Sequence, residues 1–359
     1  MNYPRDRIGV DALPAHADRI DVRSPAEFAD DHLPGASNHP VLDDGERARI
    51  GALYATAPFA ARRLGAALVA RNIARMLETA FADRPREWKP LVYCWRGGMR
   101  SRSLAHVLNE VGWRAAQLDG GYRAYRRHVV ARLAIDPLRY RFVVLCAPTG
   151  SGKSDLLRAL AGAGGQTLDL EHIARHRGSR LGALPGADQP SQKAFETGVV
   201  AALTELDPAQ PVYVEAESRR IGSVQLPDAL LERMRAGSRI MLRTPLAQRI
   251  ALLRTEYRHF IDRPGALVER LRPLVELHGS AAVARWEGLA ASGDWDTLIG
   301  ELLEVHYDPL YARSLARHFP ATDGDVELDV DDVSAGGFAA LAATAIDAPS
   351  KSPAKALAR

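Results

Sequence analysis

The sequence has few cysteines and few lysines. Two cysteines in 359 residues, Cys94 and Cys146, cannot form a disulfide framework, which excludes the class of small disulfide-stapled secreted domains. We predict a reducing, cytoplasmic compartment, since it also keeps a thiol available for chemistry. Of the 47 lysines and arginines only five are lysines, which leaves 42 arginines. Arginine binds phosphate through a planar fork of N–H groups, so this balance suits an RNA partner.

Long apolar runs are missing as well. No stretch of about 18 uncharged apolar residues occurs, which argues against a membrane span. Residues 1–6 contain no apolar segment of the kind found in secretory signals. The hydrophobic content of 47% with 25% charged residues is typical of a globular protein, and 359 residues are enough for two domains. We expect no membrane association and no obligate protein partner.

A strand, loop and helix are predicted around the first cysteine. The apolar run Leu91–Tyr93 precedes Cys94, a loop with two glycines follows, and residues 103–109 have a helical pattern. This order places Cys94 at the carboxyl end of a buried strand, facing backbone N–H groups and a helix N-terminus. Such surroundings favour a thiolate nucleophile in an anion-binding loop. The candidate catalytic residues are Cys94, Arg96, Gly97, Gly98 and Arg100.

This stretch resembles the rhodanese (sulfurtransferase) family. Residues 21–28 and 32–38 are similar to the family's entry motif. Rhodaneses that take sulfur from thiosulfate commonly carry an arginine five residues after the cysteine, whereas Arg100 lies six residues after Cys94, a spacing similar to that of Cys-x5-Arg phosphatases. A wider loop suits a phosphate-like group, so we expect a donor that carries phosphorus.

Strands and helices alternate through the first part of the chain. Strands are predicted at 16–22, 91–94 and 115–118, and Ser24 is predicted to cap a helix that begins at Pro25. This alternation predicts a parallel sheet with its site at the carboxyl ends of the strands. Residues 119–128 open a helix that is either a linker with a solvated basic face or an RNA contact. Its candidate RNA-binding residues are Arg123, Arg126 and Arg127.

A phosphate-binding P-loop follows the second strongly apolar strand. Residues 139–147 predict the strand, in which Cys146 is expected to be a core residue, and residues 155–160 predict the helix. Between them, backbone N–H groups would cradle phosphates, Lys153 would reach the outer phosphate, and Ser154 is a candidate Mg²⁺ ligand. Ala147 stands where the usual pattern has its first glycine. The candidate diphosphate-binding residues are Thr149, Gly150, Ser151, Gly152, Lys153 and Ser154.

Acidic residues follow the next two predicted strands. Asp169, Glu215 and Glu217 are candidates to support Mg²⁺, and the residues alone do not choose among them. His172 and His176 have no evident third ligand for a metal, so a contact between Arg177 and an anionic substrate is the preferred interpretation. No tightly bound cofactor is predicted.

The predicted domains are a rhodanese-like α/β domain at 1–135, a P-loop NTPase-like α/β domain with a helical C-terminal part at 136–322, and an acidic segment with a disordered tail at 323–359. Residues 245–319 are helical in pattern and rich in arginines such as Arg249, which we interpret as an RNA-binding face. The aromatic residues among them are expected to be core.

The order of these motifs resembles the tRNA 2-selenouridine synthase family. Matching segments cover residues 94–101, 118–123, 147–154, 176–179, 189–196, 214–222 and 306–311. The P-loop is also similar to that of tRNA dimethylallyltransferases, in which the bound diphosphate belongs to a prenyl donor. The family resemblance implies a substrate, 2-thiouridine at the tRNA wobble position. It also implies two steps, geranylation of the sulfur from geranyl diphosphate and then exchange for selenium from selenophosphate.

In this scheme Cys94 would carry selenium as a selanylated cysteine, while the loop and its arginines hold the phosphate of selenophosphate. Two other interpretations stay open at this point. One is a Cys-x5-Arg phosphatase or sulfurtransferase fused to a P-loop small-molecule kinase. The other is a regulatory nucleotide-binding module whose rhodanese-like half only recognises a partner and would tolerate Cys94→Ser.

Overall fold

The computed structural model describes residues 7–179, 181–184, 186–322 and 324–347, and the chain forms two compact units. Unit 1 comprises Met1–Leu133 and Pro190–Ala201, and unit 2 comprises Ala134–Gln189 and Ala202–Arg359. Each unit is built on a five-stranded sheet in which every neighbouring pair of strands is parallel. The predicted α/β class is therefore confirmed.

Unit 1 has the strand order β1-β5-β4-β2-β3. Its strands are β1 (Arg7–Ile8), β2 (Arg19–Asp21), β3 (Ala36–Asn38), β4 (Leu91–Tyr93) and β5 (Ala116–Leu118). Its helices are α1 (Pro25–Asp30), α2 (Asp44–Thr56), α3 (Pro58–Glu78), α4 (Met99–Val111) and α5 (Gly121–Ile135), the last of which ends in unit 2. All three residues of β4 are buried, as expected for the middle strand of a parallel sheet.

The start of α1 follows from local side-chain chemistry. Ser24 and Glu27 form a capping box, and Pro25 occupies the first turn, where its missing N–H costs nothing. The predicted cap is thus confirmed. Apolar side chains from α3 and α4 pack with β2 and β4 to form the core of unit 1. This core fixes the ends of the two strands that border the Cys94 loop.

Unit 2 has the strand order β12-β11-β6-β8-β7. Its strands are β6 (Arg141–Cys146), β7 (Gln166–Leu168), β8 (Pro211–Glu215), β9 (Arg220–Ile221), β10 (Val224–Gln225), β11 (Ser238–Arg243) and β12 (Val326–Asp329). The short strands β9 and β10 form a separate antiparallel pair. The helices around the sheet are α6 (Lys153–Gly162), α7 (Leu170–Ala174), α8 (Gln192–Thr204), α9 (Asp228–Arg235) and α17 (Ala335–Asp347). Helix α8 begins in unit 1 and ends in unit 2.

The remaining helices of unit 2 form a second core. They are α10 (Leu246–Glu256), α11 (Arg258–Ile261), α12 (Pro264–Leu271), α13 (Val275–His278), α14 (Ser280–Ser292), α15 (Trp295–Leu302) and α16 (Asp308–His318). A π-helical turn, Leu303–Tyr307, joins α15 to α16. Trp286 and apolar side chains of α12, α14 and α15 are buried together. None of the helices in the described part of the chain is both long and apolar enough to span a membrane.

The structure differs from the predicted domain boundaries in two places. Residues 190–201 belong to unit 1 although the flanking sequence belongs to unit 2. The prediction of an acidic segment and tail over 323–359 is wrong for 326–347, because β12 pairs with β11 and α17 packs against α6. The expected tail at 348–359 lies outside the described residues.

Candidate active sites in the two units

Cys94 follows the last residue of β4, as predicted. Its side chain is buried, and the Ser101 hydroxyl donates a hydrogen bond of 3.1 Å to Sγ. Helix α4 begins at Met99 with Gly98 as its N-cap, so its first-turn N–H groups have no helical acceptor. Among the described residues, no hydrogen bond uses the backbone N–H groups of Arg96 or Gly97 either. The loop can therefore offer several donors to an anion beside the sulfur.

Two glycines allow the loop to close tightly. Gly97 has φ of +63°, and a Cβ there would lie 2.7 Å from the Leu118 carbonyl oxygen. Gly121 has φ of +56°, and a Cβ there would lie 2.2 Å from the Cys94 carbonyl oxygen. The N–H of Tyr122 donates to that same oxygen. Only glycine fits at these contacts, which hold the Cys94 loop against the start of α5.

Gln117 supports the loop and was missed by sequence reasoning. Its buried amide Nε2 donates to the Gly97 carbonyl at 2.9 Å, the Gly98 carbonyl at 3.2 Å and the Ser101 hydroxyl at 2.7 Å. Because Ser101 in turn donates to Cys94, the amide and hydroxyl form a chain that ends at the sulfur. The sequence feature that could have indicated this role is a polar residue within the otherwise apolar strand β5.

The two loop arginines differ in their surroundings. Arg96 is exposed, whereas Arg100 lies in the first turn of α4 with Nη1 2.7 Å from Oε2 of Glu27. Burial acts to raise the pKa of the Glu27 carboxyl, but the hydrogen bond and charge of Arg100 outweigh burial and lower this pKa. Glu27 therefore stays charged and positions Arg100.

Residues 190–201 complete a buried polar cluster in unit 1. Tyr122 donates to Oδ2 of Asp31 at 2.7 Å, and Thr197 donates to the same atom at 3.0 Å. Burial raises the pKa of Asp31 in spite of these hydrogen bonds. Arg126 forms an ion pair with Glu196. Of the three arginines predicted to bind RNA, Arg126 is thus held within the protein, while Arg123 and Arg127 are exposed.

The P-loop connects β6 to α6 as predicted. Gly150 and Gly152 have φ of +77° and +80°, and the N–H groups of 150–154 have no acceptor within the described part of the chain. Lys153 Nζ donates to the carbonyl groups of Ala147, at 2.8 Å, and Pro148. Ala147 does not have a positive φ, so its backbone conformation does not require the glycine of the usual pattern. Cys146 is confirmed as a core residue, since its side chain is fully buried. This burial raises the pKa of its thiol to about 12.

Three carboxylates gather beside the P-loop. Oxygen atoms of Glu171, Glu215 and Glu217 all lie within 4.8 Å of one another. Ser154 donates to Glu215 at 2.7 Å, and the other Glu215 oxygen has no hydrogen-bond partner in the described part of the chain. Asp169 instead caps α7 by accepting from the His172 N–H at 2.8 Å. Glu171, one turn after β7, is the member that sequence reasoning missed.

The charge state of this cluster is set by burial. Burial and the neighbouring carboxylates raise the pKa of Glu171 to about 10 and that of Glu217 to about 8. Burial also raises the pKa of Glu215, against the opposing charge of Lys153. In the absence of a cation the cluster therefore holds protons at neutral pH.

Other predicted residues have structural partners. Arg177 lines the P-loop cleft, with Nε 3.0 Å from Glu256 and its guanidinium over the Tyr257 ring. His172 and His176 do not share a helix, because α7 ends at Ala174. Among the described residues, the three glutamates are the group whose geometry could hold a metal ion.

The interpretation of Arg249 as part of an RNA-binding face is wrong. Arg249 is buried, and its guanidinium forms a paired contact with Asp308 at 2.6 and 2.9 Å. It also donates to the Thr149 carbonyl at 2.8 and 3.0 Å. The pair therefore ties α10 and α16 to the P-loop. Periodicity could not show this, because the partners are 59 residues apart.

Both units match families of known proteins. Residues 140–270 match the family described as tRNA 2-selenouridine synthase AAA domain, and residues 10–128 match the rhodanese-like domain family. The chain is 33% identical to the tRNA 2-selenouridine synthase of Nitrosomonas europaea, over 75% of this chain and 71% of that protein. It is 33% identical to the tRNA 2-selenouridine synthase of Chromohalobacter salexigens, over 82% of this chain and 87% of that protein. It is 35% identical to the tRNA 2-selenouridine synthase of Alcanivorax borkumensis, over 83% of this chain and 89% of that protein.

Proposed function

The chain belongs to the tRNA 2-selenouridine synthase family, and on that premise we propose that it converts 2-thiouridine at the tRNA wobble position to 2-selenouridine in two steps. Unit 2 transfers a geranyl group from geranyl diphosphate to the sulfur of the base. Unit 1 then supplies selenium from selenophosphate. The reaction takes place in the cytoplasm, where tRNA is available and the thiol stays reduced.

The observation that carries this proposal is the surroundings of Cys94. A buried sulfur accepts a hydrogen bond from Ser101 at the N-terminus of α4, within a loop that carries Arg96 and Arg100. The Cys94 thiolate attacks selenium and forms an S–Se bond, while the Se–P bond breaks and its electron pair leaves on phosphorus, which departs as phosphite. Arg96, Arg100 and the Gly97–Gly98 backbone bind that leaving group.

The selenium then moves to the base. The selanylated Cys94 attacks C2 of the base, and the geranylthio group leaves as a thiolate. A thiol reductant supplies the two electrons that break the remaining S–Se bond, which returns Cys94 to its starting state. Covalent capture divides one difficult exchange into two easier ones.

In unit 2 the P-loop binds the diphosphate group. The sulfur of 2-thiouridine attacks C1 of the geranyl group, and the C–O bond breaks with its electron pair leaving on diphosphate. Lys153 and the N–H groups of 150–154 stabilise that leaving charge. Ser154, Glu215 and Glu217, with Glu171, have the donor set for Mg²⁺, since they are hard oxygen ligands and one Glu215 oxygen accepts no hydrogen bond from the residues that the structure describes. A bound Mg²⁺ would offset charge on the diphosphate.

Wobble nucleosides from complemented cells test the proposal. By mass spectrometry, Cys94→Ser is expected to abolish 2-selenouridine while geranylated 2-thiouridine persists, because only the selenium step needs the thiol. Lys153→Ala is expected to leave 2-thiouridine unmodified. The control Cys146→Ala removes the other thiol from the core and should retain both products. Unchanged 2-selenouridine in the Cys94→Ser strain would refute the assignment.

A further inference from the structure

Unit 2 contains a second cavity beside the P-loop cleft. It encloses about 570 Å³ of space not filled by atoms, counting its open mouth. Its walls come from α10–α12, α15 and the π-helical turn, and they include Tyr257, Phe260, Trp295, Leu298 and Ile299. Aromatic and aliphatic carbon makes up nearly all of the surface that faces this space. Such a lining binds apolar groups and offers nothing to a charged one.

The cavity shares part of its wall with the cleft over the P-loop. Thr149, Leu253, Tyr257 and Tyr307 line both spaces. Thr149 belongs to the P-loop itself, and the Arg249–Asp308 pair holds its carbonyl in place. The apolar space therefore lies directly beside the place where the phosphates of a P-loop ligand bind.

The lining distinguishes an apolar chain from a nucleotide base. A base is selected by hydrogen bonds to its edges, which requires donors and acceptors on the cavity wall. The hydroxyl groups of Ser179 and Tyr257, which lie at the boundary with the cleft, are bonded to each other at 3.1 Å. The deeper wall, at Phe260, Leu298 and Ile299, is hydrocarbon.

We propose that this cavity binds the isoprenoid tail of an allylic diphosphate whose diphosphate group occupies the P-loop. The inference rests on the proposed function and assigns the residues that select the chain. At roughly 30 Å³ for each carbon, the space that a water-sized group takes in a liquid, a ten-carbon tail needs about 300 Å³, so it would occupy both the cavity and its open mouth. Tyr257, Trp295 and Tyr307 contribute aromatic rings to its lining.

Binding of geranyl, dimethylallyl and inorganic diphosphate to the purified full chain tests this assignment by calorimetry. Geranyl diphosphate should bind at least about a hundredfold more tightly than the five-carbon analogue, because five further carbons leave water. Ile299→Trp, at a partly exposed lining position, should weaken geranyl diphosphate binding at least about tenfold. Inorganic diphosphate should bind the variant within about twofold of the parent, which also shows that the variant is folded.

A second substitution at Ile299 makes the side chain smaller instead of larger. Ile299→Ala enlarges the cavity and should raise the affinity for the fifteen-carbon farnesyl diphosphate relative to geranyl diphosphate by at least about threefold. Leu277→Trp, an exposed site that lines neither space, is the matched control and should change no affinity. Equal binding of geranyl and inorganic diphosphate, or an Ile299→Trp variant with unchanged geranyl diphosphate affinity, would overturn the proposal.

Nucleoside analysis separates this result from the proposed function. If tRNA is still geranylated while the Ile299 variants bind like the parent, the cavity assignment fails and the reaction stands. If the Ile299 variants behave as expected but no geranylated nucleoside forms, the assignment stands and the reaction fails.

Discussion

Gln117 connects three atoms of the Cys94 loop through one buried amide. Replacing Gln117 with leucine keeps the volume but leaves the Gly97 and Gly98 carbonyls and the Ser101 hydroxyl without this donor. We expect Gln117→Leu to lower the free energy of unfolding by about 1–3 kcal/mol. It should also lower 2-selenouridine formation at least about tenfold, because Ser101 no longer points reliably at the sulfur.

Thermal unfolding and nucleoside mass spectrometry check the two effects of Gln117→Leu. Geranylation, carried by unit 2, serves as the internal reference and should be unchanged. The matched control is Gln166→Leu, which removes a solvent-exposed amide contact in unit 2. A Gln117→Leu variant that is destabilised but fully active would remove any role for Gln117 in holding the reactive loop.

The three glutamates beside the P-loop predict a pH dependence of the metal-free protein. Burial raises the pKa of Glu217 to about 8 in the folded state, well above its value in an unfolded chain. The folded state therefore binds more protons than the unfolded state does. The contribution of Glu217 to the free energy of unfolding is complete below about pH 4.5 and is lost as the pH rises through about 8. Between pH 6 and 9 the melting temperature should fall by at least about 3 °C.

The melting temperature of Glu217→Gln should change less between pH 6 and 9, since the glutamine amide does not titrate. Mg²⁺ should reduce the fall in melting temperature at high pH, because a cation stabilises the ionised carboxylates. A melting temperature that rises from pH 6 to 9 without metal would contradict this account.

Individual site residues were predictable where one local pattern fixed them. Cys94 directly follows strand β4, and Lys153 and Ser154 open α6 after the glycine-containing loop that follows β6. Asp169 and Glu171 both follow β7, and the choice between them depends on which side chain turns toward Glu215. That direction is set by the α7 cap, a contact that spacing alone did not reveal.

Helix α17 supports the P-loop from the far end of the sequence. A Cβ at Gly152 would lie 2.3 Å from Cζ of Phe338, so the ring packs directly against the P-loop glycine. Phe338→Ala should lower the free energy of unfolding by about 3–5 kcal/mol, because it opens a cavity in a buried core. Diphosphate binding should weaken as well, since the loop loses its packing.

Urea unfolding and diphosphate titration measure these effects. Ile346→Ala removes an apolar side chain from the same helix at a position that is 38% exposed, and should cost less than about 1 kcal/mol. Equal costs for the two variants would argue that α17 contributes only general apolar burial.

The elements near the two sites could be predicted, while the C-terminal elements could not. Strands β4 and β6 are apolar runs that precede glycine-containing loops, which is a local signal. Strand β12 has exposed acidic residues at Glu327 and Asp329, so its composition is that of a solvated segment. Arg243 pairs with both carboxylates from the neighbouring strand β11. The strand is held mainly by its pairing along β11 and by the buried Leu328, which composition does not show.

The 42 arginines of the chain are divided between internal ion pairs and the surface. On α5, Arg126 pairs with Glu196, whereas Arg123 and Arg127 are exposed. If α5 contacts tRNA, Arg123→Ala and Arg127→Ala should each reduce the slope of log affinity against log salt by about 1. Arg126→Ala should leave the slope unchanged and lower the melting temperature instead.

Filter binding at several salt concentrations, with melting curves for each variant, decides this point. The three neighbouring positions on one helix serve as controls for one another. An equal change in slope for all three variants would show that the Arg126–Glu196 pair opens when RNA binds. No change in slope for Arg123→Ala and Arg127→Ala would place the RNA contact elsewhere.

Residues 190–201 have a consequence for how the polypeptide is made. Unit 1 takes in this segment, with Thr197 against Asp31 and Lys193 against Asp30, although more than fifty residues of unit 2 precede it in the chain. A ribosome must therefore release residue 201 before the rhodanese-like half can reach its final state. The two halves cannot be exchanged as modules by a single cut, and a gene split near residue 134 would deprive the first product of a piece that only the second encodes.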